Sequence, residues 1–73
     1  MTATTDKIAR TLKQLRHDKA MTVNDVVERL GDESVNIAVK TLSGWESGQA
    51  LPRLDVFLAL CQVYDVRDIR IFS

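Results

Sequence analysis

The chain has 73 residues, which leaves room for one domain around one small core. Hydrophobic residues make up 45% of it and charged ones 27%, a balance that suits a compact helical bundle, and no run is long enough to span a membrane. Ten basic side chains face ten acidic ones, which excludes a protein that holds nucleic acid by bulk charge alone.

The charges are unevenly placed. Residues 6–20 set Lys7, Arg10, Lys13, Arg16 and Lys19 against Asp6 and Asp18, whereas residues 21–36 set Arg29 alone against Asp25, Glu28, Asp32 and Glu33. The chain is therefore a dipole, basic at the start and acidic just after. A first helix is expected from Thr5 or Asp6, either of which can cap it, with residues 1–5 as a flexible N-terminus and 6–73 as a single domain. Ile8, Leu12 and Leu15 make its inward stripe, and its cations form a solvated outer face or, for one or two lysines, reach phosphate.

Thr22 is the clearest cap in the chain. Its hydroxyl can accept from the backbone N–H of Asp25 while Asp25 reaches back, with Met21 and Val26 at the flanking staple positions. Val23, Val26, Val27 and Leu30 follow at helical spacing, so a second helix is expected from Val23 past Gly31 to about Glu33. Leu30 and Trp45 are 15 positions apart, and Val35-Asn36-Ile37 is expected to cross the interval in an extended conformation.

A third helix is expected from about Ala38. Ala38, Thr41, Leu42 and Trp45 fall on one stripe at about 100° per residue, and Asn36, Lys40, Ser43, Gly44 and Ser47 fall opposite. An outer face so short of long charged side chains suits close approach by another molecule. Gly48 offers the left-handed residue that ends a helix, and Pro52 blocks its continuation. A fourth helix is expected from Pro52 or Arg53. It carries Leu54, Phe57, Leu58, Leu60, Cys61 and Tyr64, too many apolar residues for a narrow stripe, and so reads as the central buried helix. A short last helix is expected over 66–71. The apolar end formed by Ile69, Ile71 and Phe72 either folds back on the core or makes a subunit contact.

The run Thr41-Leu42-Ser43-x-Trp45-Glu46-x-Gly48, with Leu51-Pro52 beyond, resembles the recognition helix and following loop of Cro/CI-type (XRE-type) helix-turn-helix domains. Ile8-Ala9-x-x-Leu12-x-x-Leu15-Arg16 is similar to that family's first helix, Met21-Thr22-x-x-Asp25-Val26 to its second, and residues 57–69 to its closing segment. Val23 stands where usual members carry a phosphate-binding Gln, and the linker matches a longer-linker subset. The resemblance implies an all-α, lambda-repressor-like bundle of about five helices. It also implies a sequence-specific regulator of double-stranded DNA, repressor-like and of phage or mobile-element type.

In that setting the third helix enters the major groove. Val39, Lys40, Ser43 and Gly44 are the candidates for base reading, and Asn36, Ser47, Gln49 and Arg53 those for phosphate. Family likeness pairs Glu46 with Arg16, which makes Glu46 structural. Leu12, Leu15, Val26, Leu30, Leu42, Trp45, Phe57 and Leu60 are the expected core anchors. The second reading keeps the fold but makes it a protein-interaction module, favoured by the neutral charge, by Val23 and by the bare Gly44.

Other chemistry has little to stand on. One His and one Cys do not build a metal site, and no clustered carboxylates or glycine-rich phosphate loop appears, so neither an enzyme nor a cofactor is expected. His17 reads as solvated and Cys61 as a core thiol. A lone cysteine forms no internal disulfide, and residues 1–5 lack the basic and apolar regions of a signal peptide, so a reducing cytoplasm is the expected setting.

Overall fold

The computed structural model describes residues 2–73. Four α-helices follow in order: α1 (Ala3–Asp18), α2 (Val23–Asp32), α3 (Val39–Glu46) and α4 (Leu54–Val63). The fifth segment, Ile69–Phe72, is a single 3-10 turn and not an α-helix, so the count is four, and no strand occurs among the described residues. The helices pack into a body of about 31 × 25 × 23 Å. α3 lies against both α1 and α2, α4 against α2, and the 3-10 helix against α1. No helix of the described residues is long and apolar enough to cross a membrane.

Local chemistry explains the boundaries. α1 starts earlier than the Thr5 or Asp6 expected, because the Thr2 hydroxyl accepts from the Thr5 N–H at 3.1 Å and Thr5 itself is buried. Residues 3–5 are thus the first turn of the helix. α2 begins on a reciprocal box, with the Asp25 N–H donating to the Thr22 hydroxyl at 3.0 Å and the Thr22 N–H to the Asp25 carboxylate at 2.8 Å.

All four helices end alike. The residue after each C-cap has positive φ: Ala20 (54°), Ser34 (63°), Gly48 (80°) and Asp65 (55°). The next N–H then reaches back five residues, from Met21 to Arg16, Val35 to Leu30, Gln49 to Gly44 and Val66 to Cys61. Only one of the four turns has a glycine. At the other three the apolar residue that follows (Met21, Val35 or Val66) packs on the core, which offsets the crowding of a Cβ in that conformation.

Leu12, Val26, Leu30, Leu42, Trp45 and Leu60 form the buried centre with Cys61, Val63, Tyr64 and Phe72. Leu15 and Phe57, expected as anchors, are only partly buried and pack against its edge. α4 is not the central buried helix of the sequence reading: Leu54 is 73% exposed and Leu58 50%. Leu60, Cys61 and Val63 turn inward while the opposite side faces solvent, because so small a bundle has too few partners to cover a wide apolar face. The C-terminal apolar end also divides. Phe72 is buried edge-on against Phe57, with ring centroids 4.8 Å apart, while Ile69 and Ile71 remain outside.

Candidate nucleic-acid interface

α2 and α3 are joined by residues 33–38, of which Val35 and Ile37 turn towards the core and Asn36 outward. This alternation fits the extended crossing and fixes where α3 begins. Asn36 therefore stands before the helix, not on its outer face, and its side-chain oxygen lies 3.8 Å from where a Cβ on Gly31 would sit. The α3 N-cap is Ala38, which has no side chain to bind the free N–H groups of the first turn. The helix is held instead by Leu42 and Trp45, fully and 93% buried respectively, since Trp45 is 7% exposed.

Those two anchors aim the rest of α3 outward. Val39 (42% exposed), Lys40 and Ser43 stand in solvent together with Ser47, and Gly44 lies half-covered between them. A Cβ on Gly44 would meet nothing within 4 Å, so the missing side chain leaves open space over the backbone. Ala38 and Thr41 are exposed rather than inward, because the contact face of α3 is only as wide as Leu42 and Trp45. Gln49 and Arg53 continue the exposed surface beyond the helix. The Arg53 guanidinium approaches Asp55 at 3.5 Å with both side chains largely in water, a loose pair worth about 0–1 kcal/mol.

The inner end of α3 is tied to α1. Arg16 Nε donates to Glu46 Oε2 at 2.9 Å and its terminal NH2 to Oε1 at 3.0 Å, while the other terminal nitrogen donates to the Met21 carbonyl at 3.0 Å. The two side chains are 12% and 6% exposed, so this fork is mostly out of water. The hydrogen bonds that the guanidinium donates to Glu46 push the Arg16 pKa above its ordinary value, against the opposing effect of burial. Tyr64 lies near the pair: burial first, then the Glu46 charge, pushes its phenol well up, and its hydroxyl is buried without a partner.

Two openings of opposite character flank these helices. An open cleft of about 240 Å³ is lined by Lys13, Arg16, Val23, Ser43, Glu46 and Ser47, where α1, α2 and α3 meet. A larger groove of about 700 Å³ runs between α2 and α4, with Asp25, Glu28, Asp32 and Asp65 outnumbering Lys19 and Arg29. The first is net positive once Arg16 cancels Glu46, and the second repels phosphate. Lys13 is one of the α1 cations that the sequence leaves either solvated or on phosphate, without singling it out. The signal for it was its place one helical turn before Arg16, which turns it towards the same end of α3.

No curated protein and no solved structure matches the chain. The family model described as a helix-turn-helix domain matches residues 7–70, which takes in nearly every element above. With its α2–turn–α3 pair seated on α1 and α4, the chain belongs to the helix-turn-helix domain family.

Proposed function

We propose that the chain is a sequence-specific DNA-binding regulator of Cro/CI type, long-linker variant, repressor-like and of phage or mobile-element origin, working in the cytoplasm. The observation that carries this reading is the outer face of α3, where Val39, Lys40 and Ser43 stand free around a glycine with open space above it. With α3 in the major groove, Lys40 donates to guanine O6 and N7, Val39 packs on a thymine methyl, and Ser43 donates or accepts. Gly44 lets the backbone come close. Asn36, Ser47, Gln49 and Arg53 hold phosphates, which set register without specifying sequence.

With so few cations near α3, one copy makes a handful of phosphate contacts, and a homodimer on two half-sites about one turn apart doubles them. Phe72 is committed to the core, so a C-terminal dimer contact would rest on Ile69 and Ile71.

The test is a fluorescence-polarisation titration of duplexes, including the DNA upstream of the protein's own gene, at several salt concentrations. Affinity should fall as salt rises, because neutralised phosphates release counterions. Lys40→Ala should cost about 1–3 kcal/mol at a preferred site only. Arg53→Ala should weaken all sequences alike and flatten the salt slope by about one. Absence of salt-dependent binding to any duplex would favour the second reading, a protein-interaction module, whose support is the acidic groove between α2 and α4.

A further inference from the structure

Arg16, Arg53, Arg67 and Arg70 are the cations engaged in ion pairs among the described residues, which leaves Lys13 unpaired there. Lys13 belongs to α1, outside the helix-turn-helix pair, yet it lines the same open cleft as Ser43 and Ser47 of α3. Glu46 is the one carboxylate in that lining, and its charge is met there by the two-pronged hydrogen bonds of Arg16. Lys13 is therefore the uncompensated charge of the cleft. The Ser43 hydroxyl makes no hydrogen bond among the described residues, and the Ser47 hydroxyl donates only to the Gly44 carbonyl at 3.1 Å, at the exposed surface. Both can turn to an incoming acceptor.

We propose that this cleft seats one phosphodiester of the DNA backbone, with Lys13 supplying the charge and Ser47 the hydroxyl donor, while Ser43 borders the seat and keeps its hydroxyl for the base edges. The proposal rests on the DNA-binding reading and extends it. Two helices would then grip the same phosphate, so the register of α3 in the groove is set by α1 as well. The volume of about 240 Å³ admits a phosphate group with part of its hydration, and the half-buried Val23 forms an apolar wall that leaves the anion to the other residues. The Arg16–Glu46 pair acquires a second consequence: an unpaired Glu46 in this lining would repel the phosphate.

The experiment compares wild type with Lys13→Gln, Lys13→Arg and Lys7→Gln by polarisation titration on a preferred and a scrambled duplex across salt. Lys7 is the control, since it sits on α1 against Phe72 and Ser73 at another cleft. Lys13→Gln should lower affinity for both duplexes by the same factor, about eightfold at 0.1 M salt, and reduce the salt slope by about 0.9, the effect of one phosphate contact. Lys13→Arg should retain the slope and Lys7→Gln should match wild type, with melting temperatures unchanged because both lysines are exposed. A wild-type slope in Lys13→Gln, on duplexes that wild type binds, overturns the phosphate seat alone. Absence of salt-dependent binding by wild type overturns the seat together with the DNA reading.

Discussion

The Arg16–Glu46 fork should behave as a buried, mutually dependent pair. Arg16→Met leaves the Glu46 carboxylate, on a side chain 6% exposed, without its partner. Breaking a buried pair on one side usually costs about 3–5 kcal/mol, and the residual solvent contact of both groups places each single change near 3. Glu46→Leu strands the guanidinium, which keeps the Met21 carbonyl and is 12% exposed as a side chain. The Arg16→Met/Glu46→Leu double variant removes both charges and should be no less stable than either single, at about 3 kcal/mol. Its remaining cost comes from the orphaned Met21 carbonyl and imperfect packing. The coupling is then about 3 kcal/mol, at the top of the range for residues in contact. A domain of this length is expected to hold only about 4–11 kcal/mol in all, so each single variant should be visibly weakened. Trp45, the only tryptophan and 93% buried by its 7% exposure, reports unfolding in a urea titration. Additive costs in the double variant, or single costs below about 1 kcal/mol, would show that the pair acts like one on an open surface and refute the reasoning.

Gly44→Ala adds a Cβ that meets nothing within 4 Å, so it should stabilise the mid-helix position by about 0.5–1 kcal/mol and raise the melting temperature by several degrees. If DNA approaches that backbone closely, the same variant should bind duplex more weakly, and unchanged affinity would exclude the close approach. Tyr64→Phe removes a buried hydroxyl that has no partner, so a urea titration should find it neutral or up to about 1 kcal/mol more stable; a loss above about 2 kcal/mol would reveal an interaction with the hydroxyl. The Thr22 backbone N–H, then its hydroxyl, holds the Asp25 carboxyl below its ordinary value. A depressed folded pKa contributes stability above the unfolded value of about 4 and loses it as pH falls through the folded value. The stability gap between wild type and Asp25→Asn should therefore close on acidification below about pH 4, and a gap that stays constant down to pH 2 would refute the assignment.

How much of this was legible depended on how far apart the partners lie. The Thr22–Asp25 box could be read because both ends sit within one turn. The match of Arg16 to Glu46, 30 residues away, came from the family likeness and not from periodicity. A helical wheel gives the direction of a side chain but not the width of the surface that covers it. Ala38 and Thr41 share an angle with Leu42 and Trp45 yet face solvent, and Leu54 and Leu58 stay out because the bundle runs out of partners. The left-handed turns at Ala20, Ser34 and Asp65 carry no glycine to announce them; their support is the packing of the next residue, a tertiary fact. Thr5 and Asp6 are both adequate caps by residue type, and only the burial of Thr5 shows that the helix has already begun, capped by Thr2. The sequence does not single out Lys13 among the α1 cations, because its place depends on a cleft shared by three helices.

The uneven duties of α3 bear on how such a molecule can change over generations. Leu42 and Trp45 anchor the helix, while Val39, Lys40, Ser43 and Ser47 contribute nothing to the buried centre. Substitutions at those four places should be nearly silent for folding, so a lineage can drift through many outward combinations without passing through unfolded intermediates. A library randomised there should give mostly folded members, whereas one randomised at Leu42 and Trp45 should give few. The scaffold thus behaves as a holder with an exchangeable face, and a new preference can arise one substitution at a time.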